Sequence, residues 1–286
     1  MWPRCSPAEK ALLRSQSGRN NARALTAVPC DPALQLPNER FRVVLARRLR
    51  LPLLLLNSRC EGCGARLDAL GDHYSACMRT GRIQARAKPV ERAWERVLEE
   101  AGASVHFQHL LQNTTLPCDP QDWRRVDVLA TGLPLYRGRA LCCDATMRSP
   151  LKANGAPQPG TAKYDGATFR VAEREKKVKY QDVDACSLTE LLVLAVEVGG
   201  RWNDTAGDLV RRLAEHKAAN ENPVLRRATQ RAWEDRWWSL LGVAAQGALA
   251  ASLLAQTGHN LVLDAPAAWA PELNVLLDGQ RWAGLE

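Results

Sequence analysis

The 286-residue chain has no uninterrupted apolar run of membrane-spanning length. Its most apolar stretch, Ser239 to Ala255, is rich in Ala but broken by Gly242, Gln246 and Gly247, and it reads as a core helix. The opening Met1-Trp2-Pro3-Arg4-Cys5 starts no secretory signal. The nine cysteines are odd in number and lack the dense, even spacing of a disulfide scaffold, so a reducing intracellular compartment is expected. No internal repeat is evident. Acids are in deficit: 31 Asp+Glu stand against 39 Lys+Arg, giving a net charge of +8. Such an excess attracts polyanions, nucleic acid first. The rest, 46% hydrophobic and 24% charged, is the composition of a globular protein with a real core.

Residues 1–38 show no firm periodicity. Asn38 to Arg50 reads as a basic amphipathic helix ended by Leu51-Pro52, and its Arg47, Arg48 and Arg50 are candidates to grip nucleic-acid phosphates. Val90, Trp94, Val97, Leu98 and Ala101 recur at helical spacing, so a helix is expected over 89–101, with Pro89 in its first turn and Gly102 closing it. Strands are expected at 104–108, 125–130, 139–146 and 191–198, the last apolar on both faces except at Glu197 and therefore buried. A charged helix at about 169–180 precedes the fourth strand. Helices at 204–219 and 223–256 follow it, the second carrying Trp233, Trp237 and Trp238 as core residues. The fold class is thus α/β, with the order αβββαβ from residue 89 to 198.

Four soft or borderline ligands lie in Cys60-x2-Cys63-x9-His73-x3-Cys77. Tetrahedral zinc takes one pair from a tight turn and a second pair returned by a short loop, and Gly62, Gly64 and Gly71 permit those turns. Four protein ligands leave no open position, so the zinc would be structural. Cys5, Cys30, Cys118 and Cys186 have no partners at ligand spacing and read as ordinary thiols.

Asp127 sits in one apolar strand and Asp144 near the end of the next, with Gly132 and Pro134 as turn punctuation between them. Two acids on adjacent strands can converge on one divalent cation, and a lysine from the next element can stabilise a phosphorane-like transition state. Lys176 and Lys179 share a helix face at i, i+3, while Lys177 points about 100° away. The pattern points to metal-dependent phosphodiester hydrolysis. Glu91 on the first helix is a secondary candidate as an outer ligand. Glu197 is another, with an ion pair to a neighbouring arginine as its equal alternative.

Together these words resemble the C-terminal region of non-LTR retrotransposon polyproteins, in which a Cys/His knuckle precedes a restriction-like endonuclease. The resemblance runs through Cys60-Glu61-Gly62-Cys63-Gly64, Leu67-Asp68, Gly71-Asp72-His73, Asp127-Val128, Asp144-Ala145-Thr146-Met147-Arg148-Ser149-Pro150-Leu151, Lys176-x2-Lys179-Tyr180 and Ala195-Val196-Glu197. It covers roughly residues 40–255. It implies a restriction-endonuclease-like PD-(D/E)xK core at 86–200. Before that core would come a basic linker and helix (1–59) and a zinc knuckle (60–80), and after it a helical extension (201–286). It further implies magnesium on Asp127 and Asp144, Lys176 and then Lys179 as catalytic lysines, and Tyr180 as a secondary site residue. Target DNA would be nicked in the nucleus to prime reverse transcription by a polymerase domain acting in cis or in trans, with element RNA as a further partner and no membrane.

The chain departs from that family in four places. Thr146 stands where the commoner Asp-x-Lys motif has its lysine, and Val126 precedes the first acid where Pro is usual. Arg86-Ala87-Lys88 replaces Arg-His-Asn, and no Tyr/Phe-x-Asp-Asp polymerase signature occurs. A nuclease-bearing fragment or a decayed copy is therefore expected. The alternative function is a catalytically inactive zinc-knuckle nucleic-acid-binding relic.

Overall fold

The computed structural model describes residues 5–53, 58–114 and 121–254. Its centre is a four-stranded mixed sheet in the order β1 (Ser104–Leu110), β2 (Arg125–Thr131), β3 (Ala140–Arg148) and β4 (Thr189–Glu197). β1 pairs β2 and β2 pairs β3 antiparallel, whereas β3 and β4 run parallel from Ala140↔Thr189 to Arg148↔Glu197. The β2–β3 turn uses Gly132 at φ +84°, where a side chain would be strained. A parallel pair cannot be closed by a hairpin. The chain instead crosses over through residues 149–166, α6 (Ala167–Lys179) and α7 (Gln181–Ala185).

Numbered from the N-terminus, the earlier helices are α1 (Pro7–Ser15), α2 (Arg23–Thr26), α3 (Asn38–Arg48), α4 (Asp72–Ala76) and α5 (Arg82–Ala101); α8 (Asp204–Ala218) and α9 (Arg226–Leu254) follow the sheet. Helices α5, α8 and α9 cover one face of the sheet. Trp94, Leu98, Val128, Leu194, Leu209, Trp237 and Leu241 belong to the core cluster there. Trp94 meets Trp202 edge-on at 5.9 Å between ring centroids, and Trp202 meets Trp238 at 5.8 Å. On the opposite face Tyr180 and Val183 pack with Val126, Leu129, Cys142 and Leu191. With both faces covered, β4 is buried almost throughout, as its apolar run predicts.

The strands and α6, α8 and α9 lie within a few residues of their predicted positions, but α5 does not begin at Pro89. It starts at Arg82 after Gly81 and carries Pro89 inside. An interior proline costs about 3 kcal/mol of helix propensity. The added turns are held from outside, because the buried Arg86 guanidinium donates to Tyr74 O, Ser75 O (3.0 Å) and Ser252 Oγ (2.7 Å). Residues 5–38, aperiodic in sequence, hold α1, α2 and an Asp31-capped turn. Ser6 and Glu9 cap the start of α1 reciprocally. The apparent interruptions of the apolar run are seats for this segment. A Cβ on Gly242 would lie 3.0 Å from Ala24 N, and one on Gly247 3.0 Å from a Leu36 methyl. The run is one continuous helix, α9, long and apolar enough by composition to cross a membrane, yet 83% of its most apolar window is buried inside the protein.

The three arginines expected to grip phosphates are used internally. Arg47 is buried, donates to Leu70 O at 2.7 Å and pairs with Asp72; Arg50 forks onto both Asp72 oxygens at 2.9 and 2.8 Å. Arg48 donates to Asn21 O and Gln16 O. Arg47 and Arg50 face an acid and a carbonyl of the knuckle and Arg48 faces the N-terminal segment, while Arg40 and Arg42 of α3 stay exposed. The phosphate-gripping role expected of Arg47, Arg48 and Arg50 is thus corrected to an internal one.

The buried Trp94 indole N–H has no hydrogen-bond partner among the described residues, so two substitutions are expected to differ. Trp94→Ala should cost about 3–5 kcal/mol of unfolding free energy. Trp94→Phe should cost clearly less, because the orphaned donor leaves with the indole. Urea melts of both variants check the order.

Candidate active site and metal centre

In the knuckle, the turn at residues 60–65 is closed by Cys60 N–H donating to Ala65 O (2.8 Å) and Gly64 N–H to Cys60 O (2.7 Å). Gly62 admits no side chain, since a Cβ would fall 2.7 Å from Arg79 O. Asp68 then organises the return. Its Oδ1 accepts from Leu70 N–H and Asp72 N–H and its Oδ2 from His73 N–H (2.7 Å), which starts α4 with His73 facing the turn. The ligand atoms of Cys60, Cys63, His73 and Cys77 all lie within 4.8 Å of one another and could hold a metal ion such as zinc. The spacing fits: Zn–S bonds of about 2.3 Å imply S···S near ~3.8 Å in a tetrahedron, and Cys60 and Cys77 Sγ are 3.9 Å apart. Cys63 Sγ lies 3.3 Å from His73 Nε2. The other imidazole nitrogen, Nδ1, is 2.7 Å from Ala153 O, so Nε2 is left for the metal. Backbone donation from Ala65 lowers the Cys63 thiol to about 7, toward the thiolate a metal needs, while burial raises Cys77.

The carboxylates converge on the sheet. Val128 pairs Cys143, so one step further along the register sets Asp127 beside Asp144. Asp127 Oδ2 accepts from Ala145 N–H at 2.8 Å. Asp144 is buried, and α6 brings Lys176 Nζ to 2.7 Å from its Oδ1 and 2.8 Å from its Oδ2. Only the Oδ2 contact has hydrogen-bond geometry, leaving Oδ1 buried without a hydrogen bond. Glu91, buried on α5, stands close enough to bear on the same charges. Burial first, then Asp144, then Glu91 push the Asp127 carboxyl up to about 7. Burial likewise raises Glu91, with Asp144 adding to it. Among the described residues, three acids thus crowd one ammonium, whose contact with Asp144 Oδ1 has no hydrogen-bond geometry. Carboxylate oxygens are what hard divalent cations take, so this donor set fits such an ion.

The remaining predicted residues are placed differently. Lys179 Nζ donates to the Tyr180 hydroxyl at 2.7 Å and stands one step behind the acids; burial lowers it. Tyr180 is fully buried and donates to Arg125 O, fastening α6 to β2. Lys177 is exposed, as its angle predicts. Glu197 is not in the cluster. Asp144 is level with Val193 in the β3–β4 register, four residues away along β4. Glu197 instead accepts from Thr168 Oγ1 at 2.6 Å and lies 3.8 Å from Arg201 Nε. Of its two equal readings, the ion pair with a neighbouring arginine is the one present, and the metal role is not. Cys118 lies outside the described residues.

Sequence reasoning missed Gln108, whose Nε2 donates to Glu91 Oε2 at 2.5 Å. No motif announces a glutamine in a strand. It also assigned no role to Asp68 and Asp72, although both stand in quoted words.

Two outcomes are expected. Native mass spectrometry should find one zinc per chain, and Cys60→Ser should lose it and lower the melting temperature, because metal affinity is folding energy in such modules. Asp127 yields a pH signature. Its folded value near 7 exceeds the ordinary carboxylate value, so ionisation penalises the fold. The penalty is absent below about pH 4, grows between pH 4 and 7, and is complete above that. In buffer free of magnesium and manganese, Asp127→Asn should melt close to wild type near pH 4.5 and above it at pH 8. Equal melting temperatures at both pH values would contradict this.

Compared with known proteins, the chain matches no protein-family model and no curated protein.

Proposed function

We propose that the chain is a magnesium-dependent DNA endonuclease of the retroelement type, built on a restriction-endonuclease-like core. One observation carries the reading: Asp127 and Asp144 stand side by side on antiparallel strands with Lys176 Nζ 2.7 Å from Asp144, although Lys176 is 32 residues further along the chain. The element order and the strand order are those this reading requires. The migrated lysine compensates for Thr146, which cannot carry charge.

Asp127, Asp144 and Glu91 would hold the cation, and that ion would supply charge neutralisation at the phosphate and a more acidic water. A cation held by these acids would compete with Lys176 for Asp144, and the ammonium, freed from the carboxylate, would face the charge that develops on the phosphate oxygens in the transition state. Tyr180 and Lys179 hold the end of α6 against β2, which keeps that ammonium in place. Buried walls on both faces of the sheet limit water at the acids. Phosphate contacts fall to Arg170 and Arg174 on the exposed face of α6, which line a shallow groove with Glu173, Val178 and Gln181. Such contacts are blind to sequence and weaken with salt.

A second reading, the inactive nucleic-acid-binding relic, is favoured by Thr146, Val126 and Arg86-Ala87-Lys88, which depart from the family's motifs. Plasmid nicking separates the two. With magnesium or manganese, wild type should convert supercoiled plasmid to open circle. Asp127→Ala, Asp144→Ala and Lys176→Ala should each lose about 10²-fold or more of the rate while still binding DNA, and Lys177→Ala should cut near the wild-type rate. Wild-type protein that never cuts with either metal would leave the relic reading standing.

A further inference from the structure

We propose that Gln108 is a positioning residue that aims Glu91 as the third oxygen ligand of the divalent cation; the inference rests on reading the carboxylate cluster as a cation site. Five non-glycine residues among those described have positive φ, and Gln108, at +51°, is the only one of them inside a strand. Glutamine has no intrinsic liking for that region, and non-glycine residues held there cluster at functional sites. The place of the strain is informative. The β1–β2 ladder pairs Phe107 with Val128 and His109 with Val126, but the pair between them, Gln108 opposite Asp127, is missing. The strand therefore breaks its ladder directly across from one of the two central acids.

That break has a visible product. Turned out of the pleat, the Gln108 amide reaches the Glu91 carboxylate at 2.5 Å, bridging from β1 to α5. Glu91 is only 6% exposed. The amide occupies Oε2 and fixes the rotation of the enclosed carboxylate, leaving Oε1 for the cluster. A merely structural glutamine would satisfy Glu91 equally well from an unstrained position. Partners of this kind, which orient a ligand without touching the metal, typically govern affinity by 10- to 100-fold.

The test is calorimetric titration of manganese into the full, zinc-loaded chain, read alongside melting temperature. Wild type should bind one manganese that Asp127→Asn abolishes. Gln108→Gly deletes the amide and removes the backbone strain, so its melting temperature should hold while manganese affinity falls about tenfold. Glu91→Ala should weaken binding too, and adding Gln108→Gly to it should weaken binding no further, because the amide acts through Glu91. Wild-type affinity in Gln108→Gly would overturn the proposal, as would a second full loss in the double variant. Both of those leave the cation site itself intact. Wild-type protein that takes up no manganese, or takes it up regardless of Asp127→Asn, would bring down the site and this proposal together.

Discussion

A parallel strand pair has to be joined by a crossover, and the chemistry proposed for this protein depends on that requirement. β3 carries Asp144, and the crossover from β3 to its parallel neighbour returns over the sheet as α6, bringing Lys176 back onto the acid. The preceding β2–β3 pair is antiparallel and sets Asp127 beside Asp144 without any help from the helices. Acid pair and ammonium therefore come from two kinds of pairing on the two edges of one strand. Tyr180 and Val183 pin the end of the crossover to the sheet, so the lysine arrives on a packed helix and not on a free loop.

Part of the positive charge of the chain is committed to architecture. Arg96 and Arg236 close on Asp31 and Glu100, Arg124 spans Asp122 and Asp182, and Arg47 and Arg50 share Asp72. Burial of paired charge is weak evidence of stability, since desolvation offsets much of the attraction. It does specify geometry, because an arginine fork fits a carboxylate in few ways. Several of these pairs join segments far apart in sequence, such as Arg236 to Asp31 and Glu100 or Arg124 to Asp182, which is why a count of +8 says little about where a polyanion would sit.

What the sequence made legible and what it hid divide along the same line. Local periodicity placed β2, β3, β4, α6 and α8, and ligand spacing brought out the Cys/His quartet, because those signals live within a few residues of chain. The true start of α5 was hidden, since the Arg86 contacts that overrule Pro89 come from α4 and α9. Glu197 stayed open between ligand and ion pair until Thr168 and Arg201 were seen to face it. Gln108 was invisible because a dihedral angle leaves no mark in composition. The acids and lysine could be named from sequence. The distances between them could not, because strand register is settled by packing.

Helix α9 is a single rod of 29 residues. Trp237, Trp238 and Leu241 lie in the cluster that covers the sheet, while Leu249, Ala250 and Leu253 lie in the one that holds Cys60, Tyr74 and Cys77. Both clusters lose a wall if the rod unwinds, so the helix ties the stability of the knuckle to that of the sheet. Losing the metal from the first would be felt at the acids of the second as a change in lifetime, with no signal passing between them.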